Sequence, residues 1–163
     1  SQIGPLANQT QEDKFNEYLD IAQDEGAEIL AQAETPDDPA LSAGHWVRPT
    51  ILDGVHQGET IACEEVFGPV AGVITFEDET EAIEIANDSP YGLMAGIWTS
   101  DLQTAHGVAD YLDYGMVSIN EYPQTFPQTP FGGFKESGVG REQGTEAIKE
   151  YTQAKNVNVN ITR

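Results

Sequence analysis

Apolar positions along this chain switch repeatedly between helical spacing and short dense runs, and the elements they predict alternate. Over residues 10–30, Phe15, Tyr18, Leu19, Ala22, Ala27, Ile29 and Leu30 fall largely at helical spacing, so a first amphipathic helix is expected, with Gly26 near its end. Residues 33–44 are rich in Pro, Asp and Ala and read as a surface loop, followed by a short extended run over 47–52. Residues 70–76 (VAGVITF) form a compact β-rich run, after which Asp78, Glu79 and Thr80 offer a helix start ahead of Ala82, Ile83, Ile85 and Ala86. A turn through Ser89, Pro90, Tyr91 and Gly92 leads to a second strand, LMAGIWT, from Leu93. Asp101 then caps a helix carrying Leu102, Ala105, Val108, Ala109 and Leu112, and residues 116–119 supply a third strand.

Strand, helix, strand, helix, strand implies right-handed crossovers and a parallel sheet covered on both faces, an α/β sandwich. Residues 120–140 carry prolines and glycines throughout and no period; in a compact domain a loop of that length is expected to be functional. A short helix is expected around 141–151. The alternation of Val157, Val159 and Ile161 in NVNVNIT then marks a terminal strand with one apolar face, of the kind that pairs with a neighbouring domain or subunit. Trp46 and Trp98, beside or within strand runs, read as packing residues, and no internal repeat is present.

At 163 residues the chain is the size of one ordinary domain. Its net charge of −21, from 28 acids against 7 lysines and arginines, argues against a phosphate-reading or anionic-membrane surface, so neither nucleic acid nor a membrane is an expected partner. The acids are scattered, and the aromatic and β-branched residues of a core are all present, which excludes a disordered acidic chain. A folded, lysine-poor, acidic protein fits a salt-rich cytoplasm that screens its self-repulsion, and the surface reads as that of a halophile. One cysteine permits no internal disulfide, and no segment reads as a signal peptide or membrane span, so a cytoplasmic setting is expected. The opening SQIGPLANQT, without Met and close to a helix, predicts a chain cut from something longer.

Candidate chemistry is concentrated in two motifs. Cys63, with His45, His56 and His106 elsewhere, suggests a thiol–imidazole pair, but a lone cysteine more often serves as a small core hydrophobe. The histidines lack the close spacing of zinc ligands. In EEVFGP (64–69), an extended backbone would project Glu65 and Phe67 to one side and Glu64 and Val66 to the other. A carboxylate there can accept from two ribose hydroxyls while the ring packs on a nicotinamide. The same residues also read as a strand edge with a capping acid and a core Phe, and on chemistry alone that reading is preferable. The glycines Gly132, Gly133, Gly138, Gly140 and Gly144 include GVGREQG, which has one residue too many for a dinucleotide fingerprint and no strand directly ahead of it. These glycines read as a loop permitting positive φ.

Taken together, GPL near the start, EEVFGPV, ANDSPYGLMAGIWTSD, VSIN, and PFGGFKESGVGREQG followed by EYTQAKNV resemble, in order and spacing, the C-terminal third of an NAD(P)-dependent aldehyde dehydrogenase. The resemblance covers nearly the whole chain and reverses the preference at EEVFGP. It implies a three-layer α/β sandwich with a mainly parallel sheet and a C-terminal oligomerisation strand. Residues 1–137 would be part of the catalytic domain, 138–155 a helix packing back toward a cofactor domain absent from this chain, and 156–163 the oligomerisation strand. In that family an upstream cysteine attacks the aldehyde, the adduct gives hydride to NAD or NADP, and an upstream glutamate activates water. Cys63 does not correspond to that nucleophile. Residue by residue, the resemblance implies Glu65 on the cofactor ribose and Phe67 on the nicotinamide, Tyr122, Thr125, Phe126 and Phe131 along the aldehyde tunnel, and Glu142 in a proton or charge relay. It also implies a monovalent cation held by backbone carbonyls of the turn from Lys135 to Gly138. Gln153 stands where some relatives carry a glutamate able to pair with the arginine of GRE, which puts such a bridge from Arg141 in doubt.

The leading expectation is therefore part of an aldehyde-oxidising enzyme that works with the remainder of a longer chain, as a homo-oligomer, and is inactive by itself. A non-catalytic binding or assembly module derived from such an enzyme is the alternative. An acidic domain for a basic partner would account for the charge but for none of the motifs.

Overall fold

Asn8 starts the first helix and Gly26 stops it. In the computed structural model, which describes residues 3–161, α1 spans Gln9–Glu25, and the Asn8 side chain accepts from the Gln11 N–H at 3.0 Å. Gly26 takes a φ of 114°, in the left-handed region, and its N–H and that of Ala27 return to the carbonyls of Gln23 and Ala22. The helix expected to reach Leu30 therefore ends at Glu25. Ile29 and Leu30 belong instead to β1 (Glu28–Gln32).

β1 pairs antiparallel with β2 (Thr50–Asp53), with an irregularity between Ile29 and Ala31, and β2 pairs in parallel with β3 (Val70–Gly72). A short helix, α2 (Thr60–Cys63), lies between β2 and β3 in the chain. Along β2 burial alternates, with Thr50 and Leu52 inside and Ile51 and Asp53 outside, the signature of a strand with one packed face. Ala22, Ala27, Leu52 and Val55 form the core, with Leu19, Ile61, Val70 and Ile74 packed against it. All of this belongs to the first of two compact units, residues 1–77; residues 78–163 form the second.

Two aspartates open the long helices of the second unit. Asp78 accepts from the Thr80 and Glu81 N–H groups and starts α3 (Glu79–Asn87); Asp101 accepts from the Thr104 N–H and starts α4 (Leu102–Tyr111). α4 is the crossover between β5 (Met94–Ile97) and β6 (Met116–Ile119), which pair in parallel from Met94↔Met116 to Ile97↔Ile119. β4 (Tyr91–Gly92) pairs antiparallel with β7 (Phe134–Lys135). Among the described residues the four pairings between strands are thus half parallel and half antiparallel, a mixed α/β chain. The strand after EEVFGP, expected to join the other two crossover strands, pairs with β2, because Thr50 N–H donates to Pro69 and Val73 N–H to Leu52, extending that ladder at both ends.

The C-terminal region departs furthest from its pattern. The helix expected around 141–151 is a single turn, α5 (Ala147–Glu150). Residues 152–161 form no strand, and Val157, Val159 and Ile161 are 72%, 75% and 86% exposed. A strand needs a ladder partner for its backbone groups, and none is present among the described residues. The last two residues of that expected strand, Thr162 and Arg163, lie outside the described residues, as do Ser1 and Gln2 of the opening motif.

Candidate functional site

One face of α1 holds the loop that carries EEVFG. Gln11, Lys14 and Tyr18 recur at helical spacing, so their side chains leave the helix on the same side. Gln11 Nε2 donates to the carbonyls of both Val66 and Phe67, each at 2.8 Å, and Lys14 Nζ donates to the Glu65 carbonyl at 2.6 Å. The Tyr18 hydroxyl donates to Glu64 Oε2 at 2.5 Å. Lys14 also lies over the Tyr18 ring, 5.2 Å from its centre. Beneath the loop, Phe15 is fully buried, and a Cβ on Gly68 would come within 2.7 Å of Phe15 Cδ2, so only glycine lets the backbone sit this close to the ring.

The extended backbone expected through EEVFGP is broken at Phe67, whose φ is 61°. That conformation costs a non-glycine residue roughly 1–3 kcal/mol. It also turns successive carbonyls to one side, which is what a single Gln11 amide needs to reach two of them. Val66 is buried, while Glu65 is exposed and the Phe67 ring is 75% exposed. Among the described residues nothing hydrogen-bonds the Glu65 carboxylate. Its oxygens are available to a vicinal diol, and the neighbouring ring is available to a flat heterocycle, so both residues fit a nicotinamide nucleoside. They border a shallow depression of about 280 Å³ that includes Ile61 and Gly72.

In the second unit Phe131 and Glu142 pair through their backbones, each N–H donating to the other's carbonyl at 2.7 Å. Arg141 closes the glycine loop between them: Nη1 donates to the carbonyls of Gly133 (3.1 Å) and Gly140 (2.6 Å), and the guanidinium lies 5.1 Å from the centre of the Phe134 ring. The guanidinium is thus held by main-chain carbonyls; among the described residues it forms no ion pair, and Gln153 is exposed. A cavity of about 350 Å³ is bounded here by Phe131, Gly138, Arg141, Glu142 and Tyr151, among others. The Glu142 side chain is exposed.

These contacts bring together Phe131, Gly138 and Glu142 from the expected set. Tyr122, Thr125 and Phe126 are exposed and lie outside that cavity. Lys135, with φ of 50°, sends Nζ to the Asn87 carbonyl at 2.7 Å and to 3.9 Å from Asp113. Cys63 is partly buried at the end of α2, and His45 is held by Glu12 at 3.0 Å. No cluster of three or more metal-ligating side chains exists among the described residues. Sequence reasoning passed over Gln11, Lys14 and Tyr18. The available signal was Lys14, the one basic residue of α1 in a chain with so few.

The profile of the aldehyde dehydrogenase family matches residues 1–157. The chain is 45% identical over 160 residues to a betaine aldehyde dehydrogenase of Cereibacter sphaeroides, covering 98% of this chain and 32% of that protein. It is 45% identical over 156 residues to an acetaldehyde dehydrogenase of Pseudomonas aeruginosa, covering 95% and 31%. An aldehyde dehydrogenase from Bacillus cereus, solved as an NAD+ complex, superposes with a TM-score of 0.90 at 40% identity, over 99% of this chain and 32% of that one. This chain spans about a third of the length of the relatives it matches.

Proposed function

The chain belongs to the aldehyde dehydrogenase family, and we propose that it is the C-terminal third of an enzyme that oxidises an aldehyde to a carboxylic acid with NAD(P)+. The observation that carries this reading is the exposure of Glu65 and Phe67 on a loop that α1 holds by its main-chain carbonyls. Glu65 accepts from the ribose hydroxyls next to the nicotinamide, and Phe67 lays its ring on the base. The bound nicotinamide supplies the hydride acceptor. Neither the attacking thiolate nor the water-activating glutamate is in this chain. Its own residues bind and orient.

In the same reading Tyr122, Thr125, Phe126 and Phe131 line the aldehyde's path. Tyr122 and Phe126, exposed aromatics in a stretch without regular structure, and Phe131, at the edge of the second unit's cavity, support that assignment. Glu142 relays a proton or charge, supported by an exposed carboxylate whose backbone is pinned to Phe131. A monovalent cation would sit on carbonyls of the turn from Lys135 to Gly138, where φ is positive at both residues. Residues 1–137 contribute to a three-layer catalytic domain, 138–155 pack toward the cofactor domain, and 156–163 add a strand to a second copy, a role that suits exposed alternating apolar residues. A halophile's cytoplasm fits the net charge of −21 and the single free thiol. No helix among the described residues is long and apolar enough to cross a membrane.

NADH absorbance tests the reading. The isolated chain is expected to give no aldehyde-dependent signal and the parent protein sustained turnover. Turnover by the chain alone would overturn the fragment reading, and a silent parent the enzymatic one. Sedimentation of the parent across a KCl series is expected to give an oligomer that persists at molar salt; a monomer throughout would remove the role given to 156–163, and dissociation as salt rises would remove the halophile reading.

A further inference from the structure

We propose that Tyr18 is a positioning residue for the cofactor-facing loop: by donating to the Glu64 carboxylate it latches residues 64–68 to α1 and leaves Glu65 as the acid presented to the ribose. This rests on the function proposed above and adds to it a residue that does not touch the cofactor. Two adjacent carboxylates stand in EEVFG, and only one can serve the ligand. Gln11 and Lys14 hold main-chain carbonyls and are indifferent to which side chain follows. Tyr18 holds a side chain, and so distinguishes Glu64 from Glu65. The Lys14 ammonium beside the Tyr18 ring strengthens the phenol as a donor, and the hydrogen bond ends on a charged acceptor, the stronger kind. The left-handed Phe67 gives its carbonyl to Gln11 and displays most of its ring to water, where a ligand can reach it.

The test is made in the parent protein. Tyr18→Phe, which removes one oxygen, is expected to raise KM for the nicotinamide nucleotide roughly tenfold while KM for the aldehyde stays within about twofold. Glu64→Ala should do the same, and the double variant should be no worse than either single one, since all three lose the same Tyr18–Glu64 hydrogen bond. Glu64→Gln keeps an acceptor for the phenol and should restore most of the nucleotide affinity. A merely structural role would raise both KM values together and lower Tm. An unchanged nucleotide KM in Tyr18→Phe, or fully additive losses in the double variant, would overturn the proposal. A parent without turnover overturns the enzymatic reading; the latch is then read on this chain by cleavage with a glutamate-specific protease after Glu64 and Glu65. Several-fold faster cutting is expected in Tyr18→Phe, and an unchanged rate would sink the latch as well.

Discussion

The loop over 64–68 and the loop over 131–142 both display candidate site residues, yet they are held in opposite ways. The first is gripped from outside by Gln11, Lys14 and Tyr18, which lie 46 to 56 positions earlier in the chain. The second is tied to itself, by the Phe131 and Glu142 backbones and by Arg141 reaching carbonyls eight residues away and one. A loop held by a distant helix inherits its geometry from the packing beneath that helix. A loop held by its own backbone keeps its geometry as long as its local hydrogen bonds survive.

Removing the packing under the first loop should therefore have the largest effect. Phe15 is fully buried and touches the backbone at Gly68, so Phe15→Ala leaves a void below both the helix and the loop. The expected cost is about 3–5 kcal/mol in urea unfolding. A loss below about 1 kcal/mol would mean that the loop is not seated on this ring. The matching change in the second loop is smaller. Arg141→Lys keeps the charge, but an ammonium lacks the planar fork that serves two carbonyls while lying against Phe134. About 1–2 kcal/mol is expected, with faster hydrogen exchange at the Phe131 and Glu142 amides. Unchanged exchange there would show that the backbone pair closes the loop without the arginine.

The same contrast separates what the sequence discloses from what it hides. Asp78 and Asp101 mark the starts of α3 and α4 because capping is chemistry within three residues. The end of α1 is hidden because Ile29 and Leu30 continue a helical spacing by coincidence, and only the left-handed Gly26 separates them from it. The alternation of Val157, Val159 and Ile161 is a true period-2 pattern, but a period supplies no partner. At the site, an acid and an aromatic two apart suggested Glu65 and Phe67, and the ordered family motifs chose that reading over a capping acid and core ring. The grip of α1 is not legible in the sequence, because its contacts cross some fifty residues and leave no local pattern. The hold of Arg141 is hidden for another reason: its partners are the main-chain carbonyls of Gly133 and Gly140, and a carbonyl is the same whatever residue bears it.

The smallest expected effect separates local holds that titrate from those that do not. The Asp101 cap does titrate: the Thr104 N–H, donating at 2.7 Å, and then the Thr104 hydroxyl keep its carboxyl below the ordinary value of 3.8, against an opposing contribution from desolvation. A folded-state value below the unfolded one favours the charged form in the folded protein. The cap's electrostatic contribution is therefore complete above the ordinary Asp range and disappears as pH falls through the folded value. Asn accepts the same N–H without titrating and caps about as well, so Asp101→Asn should leave stability near neutral pH almost unchanged and flatten the acid limb. Melting curves between about pH 5 and pH 2 check this. Parallel acid limbs for the two proteins would show that the carboxylate's charge adds nothing to the cap beyond the hydrogen bond that an amide also makes.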